Sequence, residues 1–544
     1  MKRLGFLVLI GILLISGIYA GGGQSRTSSG PVKAVWFSDV SGWNPPLSWN
    51  MNENTVTGTM TKNTGVYFDM NIPPENGAVA LSLMLVSGAL PDVMTITDGN
   101  MIKQLIEGRS VWKMEDLFKT YAPNSHLLKD FPNDIKQALV FRDGDWYAFP
   151  SHMNSADARK IYPPNPFYDG SFKYGINNAF MWDNALLDRT NLNRNALLTE
   201  DQVLAAWRNV KAMNLTVNGA PVLPLMLDTN YQDTSLVFLL NTFGAELVDQ
   251  NGNYRDRLLA PQAKHALKFL NTLLREGIID TNQLILDDAQ VRSLFASGRV
   301  LSFMGNPAGM GAEKTHGNYW SSGPIVSSDG ARPVMGKGFQ PGTGWMQTFI
   351  SKTTKYPAEL AKWLDYMSSK DGLLLATFGL PNVDYNINSA GQIIVTPLGL
   401  ENKENQARTG VFAYWPFHNT SFGYSSLIPA PDINNPETAF QQVSTALGRY
   451  KDTYIWDDSL LSQPAGFIDP NSDIGMIQLQ IQNFKKAQIS TVVTASSDAD
   501  FERAYNTLIS QLRTLGIERL DAKINEAVQA NTRRYNVRIQ KVNP

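Results

Sequence analysis

Apolar and polar positions alternate with two periods along this chain, and the switch between them marks its elements. Lys33–Phe37, in "VKAVWFSDVSGWNP", reads as a buried strand that breaks into a polar loop. Residues 83–99, "LMLVSGALPDVMTITDG", predict a helical run ending at Ser87-Gly88, a turn through Leu90-Pro91-Asp92 and a short strand ending at Asp98-Gly99. Amphipathic helices follow near Met101–Leu105 and in "VWKMEDLFKTYAP". Asp143-Gly144, in "FRDGDWYAFPS", predicts a hairpin turn, as does Asn251-Gly252 in "ELVDQNGNYR". Helical spacing returns in "FMWDNALLD", in "TEDQVLAAWRNVKAM" and in "APQAKHALKFLNTLLREGII", where Gly277 suits the C-terminal cap. Tyr356–Ser369 predicts a helix begun by Pro357, with "GLLLATFGL" continuing as a second. The C-terminal stretch predicts two amphipathic helices joined at Gly516.

Strands alternating with helices over 544 residues predict α/β layers with mainly parallel sheets, in two or more domains. Such sheets bind ligands at the carboxyl ends of their strands, and the junction after "DVMTI" is one such end.

The first residues depart from the pattern. Lys2 and Arg3 precede the apolar run Leu4–Ile18, and Ile18-Tyr19-Ala20 approximates a cleavage site, so residues 1–20 predict a secretion signal. Residues 21–31 are Gly/Ser-rich and read as a flexible leader. Losing Lys2 and Arg3 takes the net charge from −2 to −4, which offers nothing to a nucleic-acid backbone. There is no cysteine, which excludes disulfides, thiolate metal sites and a lipid-modified cysteine after the signal. Secretion without a tether predicts a periplasmic location.

Catalytic and metal motifs are absent. The five histidines, His126, His152, His265, His316 and His418, form no close ligand pair, and no metal or cofactor is expected. "GYSSL" has Leu427 where a nucleophile elbow needs glycine. "GNPAGMGAEKT" (305–315) superficially resembles a phosphate loop but places Glu313 before its lysine. "DQNGNYRDR" lacks the last acid of a calcium loop and reads as a hydrated hairpin. What the chain does supply is aromatic side chains: 12 Trp, 19 Tyr and 25 Phe. Trp43, Trp49, Trp320, Trp345 and Trp415 stand in loop-like contexts, where a ring can stack on a sugar face. Trp207 and Trp363 sit on apolar helical faces and read as core.

"SGALPDVMTI" followed by "LIEGRSVWKMEDLFKTYAP" resembles the signature of family 1 extracellular solute-binding proteins. "DGDWYAFPS", "NNAFMWDNALL", "LFASGRVLSFMG", "GTGWMQTFISKTTKYPAELAKWLDYMSSKDGLLLATFGL" and "FERAYNTLISQLRTLGI" follow in that family's order, over most of residues 31–520. The resemblance implies two α/β lobes joined by a multi-stranded hinge, of the type II-like periplasmic binding fold. The N-terminal lobe would take residues 32–150 and 345–382, and the C-terminal lobe residues 151–344 and 383–544. It also implies capture of a carbohydrate, delivery to an ABC importer's permease, and a monomer. A secreted lyase or hydrolase, or the ligand-binding subunit of a sensor, is the alternative.

Carried over piece by piece, the resemblance implies a contact set. "AVWFSDVSGW" places Ser38, Asp39 and Trp43 at the cleft, and the loop after "DVMTI" places Thr97 and Asp98 there. "FMWDNALL" puts Trp182 at the stacking position, and "GTGW" adds Gly344 and Trp345. "SFMGNP" lacks the stacking Trp of maltose-binding members, a role that could pass to Trp320. Trp415 joins the set from its loop context.

Overall fold

Four strands open the first layer of the computed structural model, which describes residues 30–307, 319–430, 436–464 and 466–543. The expected signal, the leader up to Ser29, His316 and the lysine end of the phosphate-loop-like stretch lie outside those residues. The strands are β1 (Val32–Ser38), β2 (Val66–Asn71), β3 (Val93–Ile96) and β4 (Phe149–Pro150). The second layer uses β5 (Ala179–Asp183), with a small hairpin β6 (Thr216–Val217) and β7 (Ala220–Pro221), then β8 (Met226–Leu227), β9 (Ser302–Gly305) and β10 (Tyr319–Trp320). Later come β11 (Val334–Lys337), β12 (Gln347–Ile350), the hairpin β13 (Tyr385–Ile387) and β14 (Ile393–Val395), and β15 (Tyr454–Asp457).

The first sheet runs β2-β1-β3-β12-β4 and the second β10-β5-β9-β8. β1 is parallel to β2 and β3, as alternating strands and helices require. β12 returns from the second layer and enters antiparallel between β3 and β4. In the second sheet β5 is antiparallel to both neighbours, and only β8 and β9 run parallel. The sheets are therefore mixed rather than mainly parallel, because chain that leaves a layer and returns need not re-enter in the original direction.

Each sheet is buried under its own core. The first is built on interlocking rings: Trp36 meets Trp363 edge-on at 4.9 Å and Trp43 at 5.1 Å, with Phe68, Tyr414 and Phe417 around them. Val411, Ala413, Tyr414 and Phe417 pack there although the sequence division above gives them to the other lobe. The second core gathers Phe180, Trp182, Trp207, Phe238 and Phe269 beneath the helices Pro261–Arg275, Asp473–Val493, Asp498–Leu515 and Ile517–Tyr535.

Most predicted helices form where the periodicity places them, and Gly516, at φ +95°, turns between the last two. Two local expectations fail. Asp143-Gly144 ends the helix Asn133–Asp143, with Gly144 as its left-handed cap, instead of turning a hairpin. Asp143 is buried against Arg142, whose guanidinium forks onto it, and that pairing favours the helix end. "FMWD" is strand, and the helix starts only at Asn184, capped by the Asp183 carboxylate. The "DQNGN" stretch does form its hairpin, with Val248 bridged to Tyr254 and Asp249 accepting from the Asn251 and Asn253 amides.

The last helix is latched by Asp521, 6% exposed, whose carboxylate accepts the Asp256 amide at 2.8 Å. Burial pushes the Asp521 carboxyl up to about 7. The folded chain therefore holds a proton that the unfolded chain has lost above about pH 4. A raised carboxyl costs stability as pH rises from about 4 to 7. Asp521→Asn keeps an oxygen for the Asp256 amide and removes that cost. Scanning calorimetry should show the substitution raising Tm at pH 8 and making much less difference at pH 4.5.

Candidate functional site

β1 and β3 run parallel, so their carboxyl ends share one edge of the first sheet. Ser38 is buried there and its hydroxyl accepts the Val40 amide at 3.2 Å. Asp39 reaches across to the loop after β3, accepting the Thr97 amide at 3.0 Å on both oxygens and the Asp98 amide at 3.0 Å. Burial raises its pKa even against those donors. Asp98 caps the helix Gly99–Glu107, accepting from the Asn100 and Met101 amides at 2.9 Å each. Both carboxylates thus hold backbone; Thr97, Gly99 and Asn100 are exposed at this rim, and the Thr97 hydroxyl donates to Asp39 at 3.3 Å.

The preceding turn is scaffold. Gly88, at φ +71°, caps the helix Gly77–Ser87, and Asp92 accepts the Val35 amide at 2.8 Å and the Thr354 hydroxyl at 2.6 Å.

Two of the tryptophans in the sequence-derived set are packed inside. Trp43 is 2% exposed, lies edge-on to Trp36 and donates its indole N–H to the Ala413 carbonyl at 2.7 Å. Trp182 is fully buried, with Trp207 stacked 6.0 Å away and Phe180 at 5.2 Å. Neither presents a ring face to a ligand, because each fills the centre of its lobe's core. Trp320 sits opposite Trp182 in the β10–β5 ladder, half-buried against the second core.

Trp345 is different, and it stands beside Trp415, which is half-buried against the first core. Trp345 is 50% exposed, and its ring lies 6.2 Å from Trp415 and 6.0 Å from His152. His152 is 5.4 Å from His418, which is 4.2 Å from Phe412. Lys403 holds its ammonium 4.4 Å from the Phe412 centroid, and the Trp415 indole N–H donates to Gln406 at 3.3 Å. Three separated segments therefore converge: Ser151-His152 after β4, Gly344-Trp345 before β12, and residues 403–418.

The convergence is strapped by backbone. Ser151 donates its amide to the Met346 carbonyl at 2.9 Å, and Met346 returns its amide to the Ser151 hydroxyl at 2.9 Å. His152 donates its amide to the His418 carbonyl at 2.5 Å. Gly344 has φ +75°, and a Cβ there would stand 2.3 Å from the Ser151 carbonyl oxygen. Gln347 steadies this loop from below, donating to the Thr343 and Gly344 carbonyls while its own oxygen accepts from Arg142 at 3.3 Å. Phe412 is held at φ +61°, a conformation costly for an aromatic residue, which turns its ring onto His418.

The two imidazoles at the centre of the group are uncharged, and the Lys403 ammonium stands at its edge over Phe412. His152 is accessible yet ringed by protein, and burial lowers its pKa to about 4. Burial, with help from His152 and Lys403, pulls His418 well below the ordinary range, and its Nε2 is buried with no partner among the described residues. Both imidazoles are uncharged at neutral pH. No carboxylate belongs to the group. Flat aromatic faces beside neutral hydrogen-bonding rings suit an uncharged ligand with alternating C–H faces and hydroxyls.

Of the sequence-derived set this group contains Gly344, Trp345 and Trp415, and it adds His152, Phe412, His418 and Lys403, which that set does not include. The density of rings in "FAYWPFHN" was the available signal.

Two α/β lobes that share chain crossings, with an open aromatic surface beside those crossings, define a two-lobed binding protein. The family model for bacterial extracellular solute-binding proteins matches residues 61–373, more than half of the chain, and the chain belongs to that family. A comparison with curated proteins gives no match. Among solved structures, the Streptococcus pneumoniae ABC-transporter substrate-binding protein FusA, as an EF-hand mutant in complex with fructo-nystose, is 16% identical with a TM-score of 0.67. That alignment covers 92% of this chain and 100% of FusA. The alginate-binding protein AlgQ2 is 15% identical with a TM-score of 0.65, covering 92% of this chain and 99% of its own. The N-glycan transport protein NgtS from Streptococcus pneumoniae is 14% identical, with a TM-score of 0.59 and coverage of 93% and 100%. These likenesses establish the fold.

Gly344→Ala should lower stability by about 1–3 kcal/mol in denaturant melts, since positive φ and the Ser151 contact add. Gly252→Ala, where φ is +80° but nothing lies within 4 Å, should cost less.

Proposed function

We propose that this chain captures a carbohydrate, specifically an oligosaccharide, on the Trp345–Trp415 surface and delivers it to the permease of an ABC importer. The half-exposed ring of Trp345, set beside Trp415 and two neutral imidazoles at the chain crossings, carries this reading. A sugar ring buries its C–H face on an indole, and the accessible imidazole of His152 serves a hydroxyl. Thr97, at the rim of the first sheet, supplies a further hydroxyl contact. The fold relatives add support, since FusA is solved with fructo-nystose and with kestose.

Binding here is without catalysis: the Ser151 hydroxyl does meet His152 Nδ1 at 2.9 Å, but it is fully buried and accepts the Met346 amide, so it is spent on the strap. The protein works as a monomer in the periplasm, released by its signal and held by no lipid. Closure of the two lobes over the ligand creates the surface that the permease reads.

A thermal-shift screen against mono- and oligosaccharides tests the reading, because a ligand that binds only the folded state must raise Tm. At least one oligosaccharide should raise it. Trp345→Ala should remove that shift and leave the unliganded Tm within about a degree, because the ring contributes little to either core. Trp182→Ala should instead lose about 3–5 kcal/mol of stability from the second core. A response to peptides with none to any glycan would overturn the assignment.

A further inference from the structure

A second recess, of about 520 Å³, opens on the other lobe and shares no residue with the Trp345 surface. Its walls come from the helix Asp169–Tyr174, from Ser321-Ser322 just after β10, and from the end of the helix Pro436–Arg449. The lining is polar, with Ser171, Ser321, Ser322, Gln441 and Thr445, and the only charged side chain in it is Arg449.

Arg449 is held in place without an acid. Its Nε donates to the Thr445 hydroxyl at 3.1 Å, and the guanidinium lies 5.3 Å from the Tyr174 ring centroid. Gly170 gives it room: a Cβ there would stand 1.8 Å from Nη2. Neither Nη makes a hydrogen bond and no carboxylate lies within ion-pair distance among the described residues, so the outer fork of the guanidinium faces the recess unused. Ser322 Oγ is likewise buried with no partner. Gln441 is already committed, accepting from Ser171 and donating to the Tyr424 hydroxyl at 3.0 Å.

A planar fork with two free donors matches the two oxygens of a carboxylate, and a neighbouring hydroxyl completes an anion's shell. We propose that this recess is a binding subsite for the carboxylate of an acidic sugar, so that the ligand range of this protein includes uronate-bearing oligosaccharides. The inference rests on the reading of the chain as an oligosaccharide binder. It adds to the Trp345 surface a place where charge is recognised.

Titration calorimetry of the full chain with trigalacturonate and with the neutral maltotriose, at 50 and 500 mM NaCl, tests it. Trigalacturonate should bind, more weakly at high salt. Arg449→Gln, at an exposed position that leaves both cores untouched, should weaken it about tenfold or more. Arg449→Lys, which keeps the charge but loses the fork, should fall between. Any affinity for maltotriose should be the same in all three proteins. Equal trigalacturonate affinity in wild type and Arg449→Gln would overturn the subsite, as would no binding of trigalacturonate at all. If the subsite fails while a neutral glycan still gives a Trp345-dependent shift, the proposed function stands without it. If trigalacturonate binding depends on Arg449 but not on Trp345, the subsite stands and the aromatic surface must be reassigned.

Discussion

The reciprocal pairing of Ser151 with Met346 is the constraint on which the rest depends. The chain leaves the first sheet at Pro150 and re-enters it at Gln347, nearly two hundred residues later. Those ends must meet in one register for β12 to lie between β3 and β4. Two backbone-anchored hydrogen bonds of 2.9 Å fix that meeting, and Gly344 permits it because any side chain there would strike the Ser151 carbonyl. A loop that long is costly to close, so the contacts at its neck must be short and saturated. They are, down to Gln347 and the Arg142–Asp143 pair behind it.

The same neck positions the aromatic surface. His152 and Trp345 are each the next residue out from the strap, so their rings are aimed by backbone that cannot drift. The third segment is anchored independently, by Ala413, Tyr414 and Phe417 in the first core and by the Trp43 indole bond to Ala413. A surface assembled from rigid roots needs little ordering when a ligand arrives. The Arg449 recess follows the same logic on the other lobe, with stacking on Tyr174 in place of a strap.

Much of the fold was legible because period and punctuation agree in "LMLVSGALPDVMTITDG": Gly88 caps, Asp92 ties and Asp98 starts the next helix. Asp143-Gly144 misled because the same dipeptide serves a hairpin or a helix end, and only the Arg142 partnership decides. The site was harder to read. Trp43 and Trp182 carry the right residue type at plausible positions, but three-dimensional packing swallowed both. Asp39 spends both carboxylate oxygens on amides, and Asp98 spends its Oδ1 on the cap of the next helix. His152 and His418 were visible only as isolated histidines, since 266 positions separate them and nothing local announces that they meet.

The two imidazoles carry a further consequence. An extracellular solute-binding protein meets whatever acidity its surroundings impose, and an ordinary histidine near pH 6.5 would charge and discharge through that range. Here burial lowers the His152 pKa to about 4 and pulls that of His418 well below its ordinary value. The aromatic surface therefore presents the same uncharged imidazoles from mildly acid to alkaline surroundings.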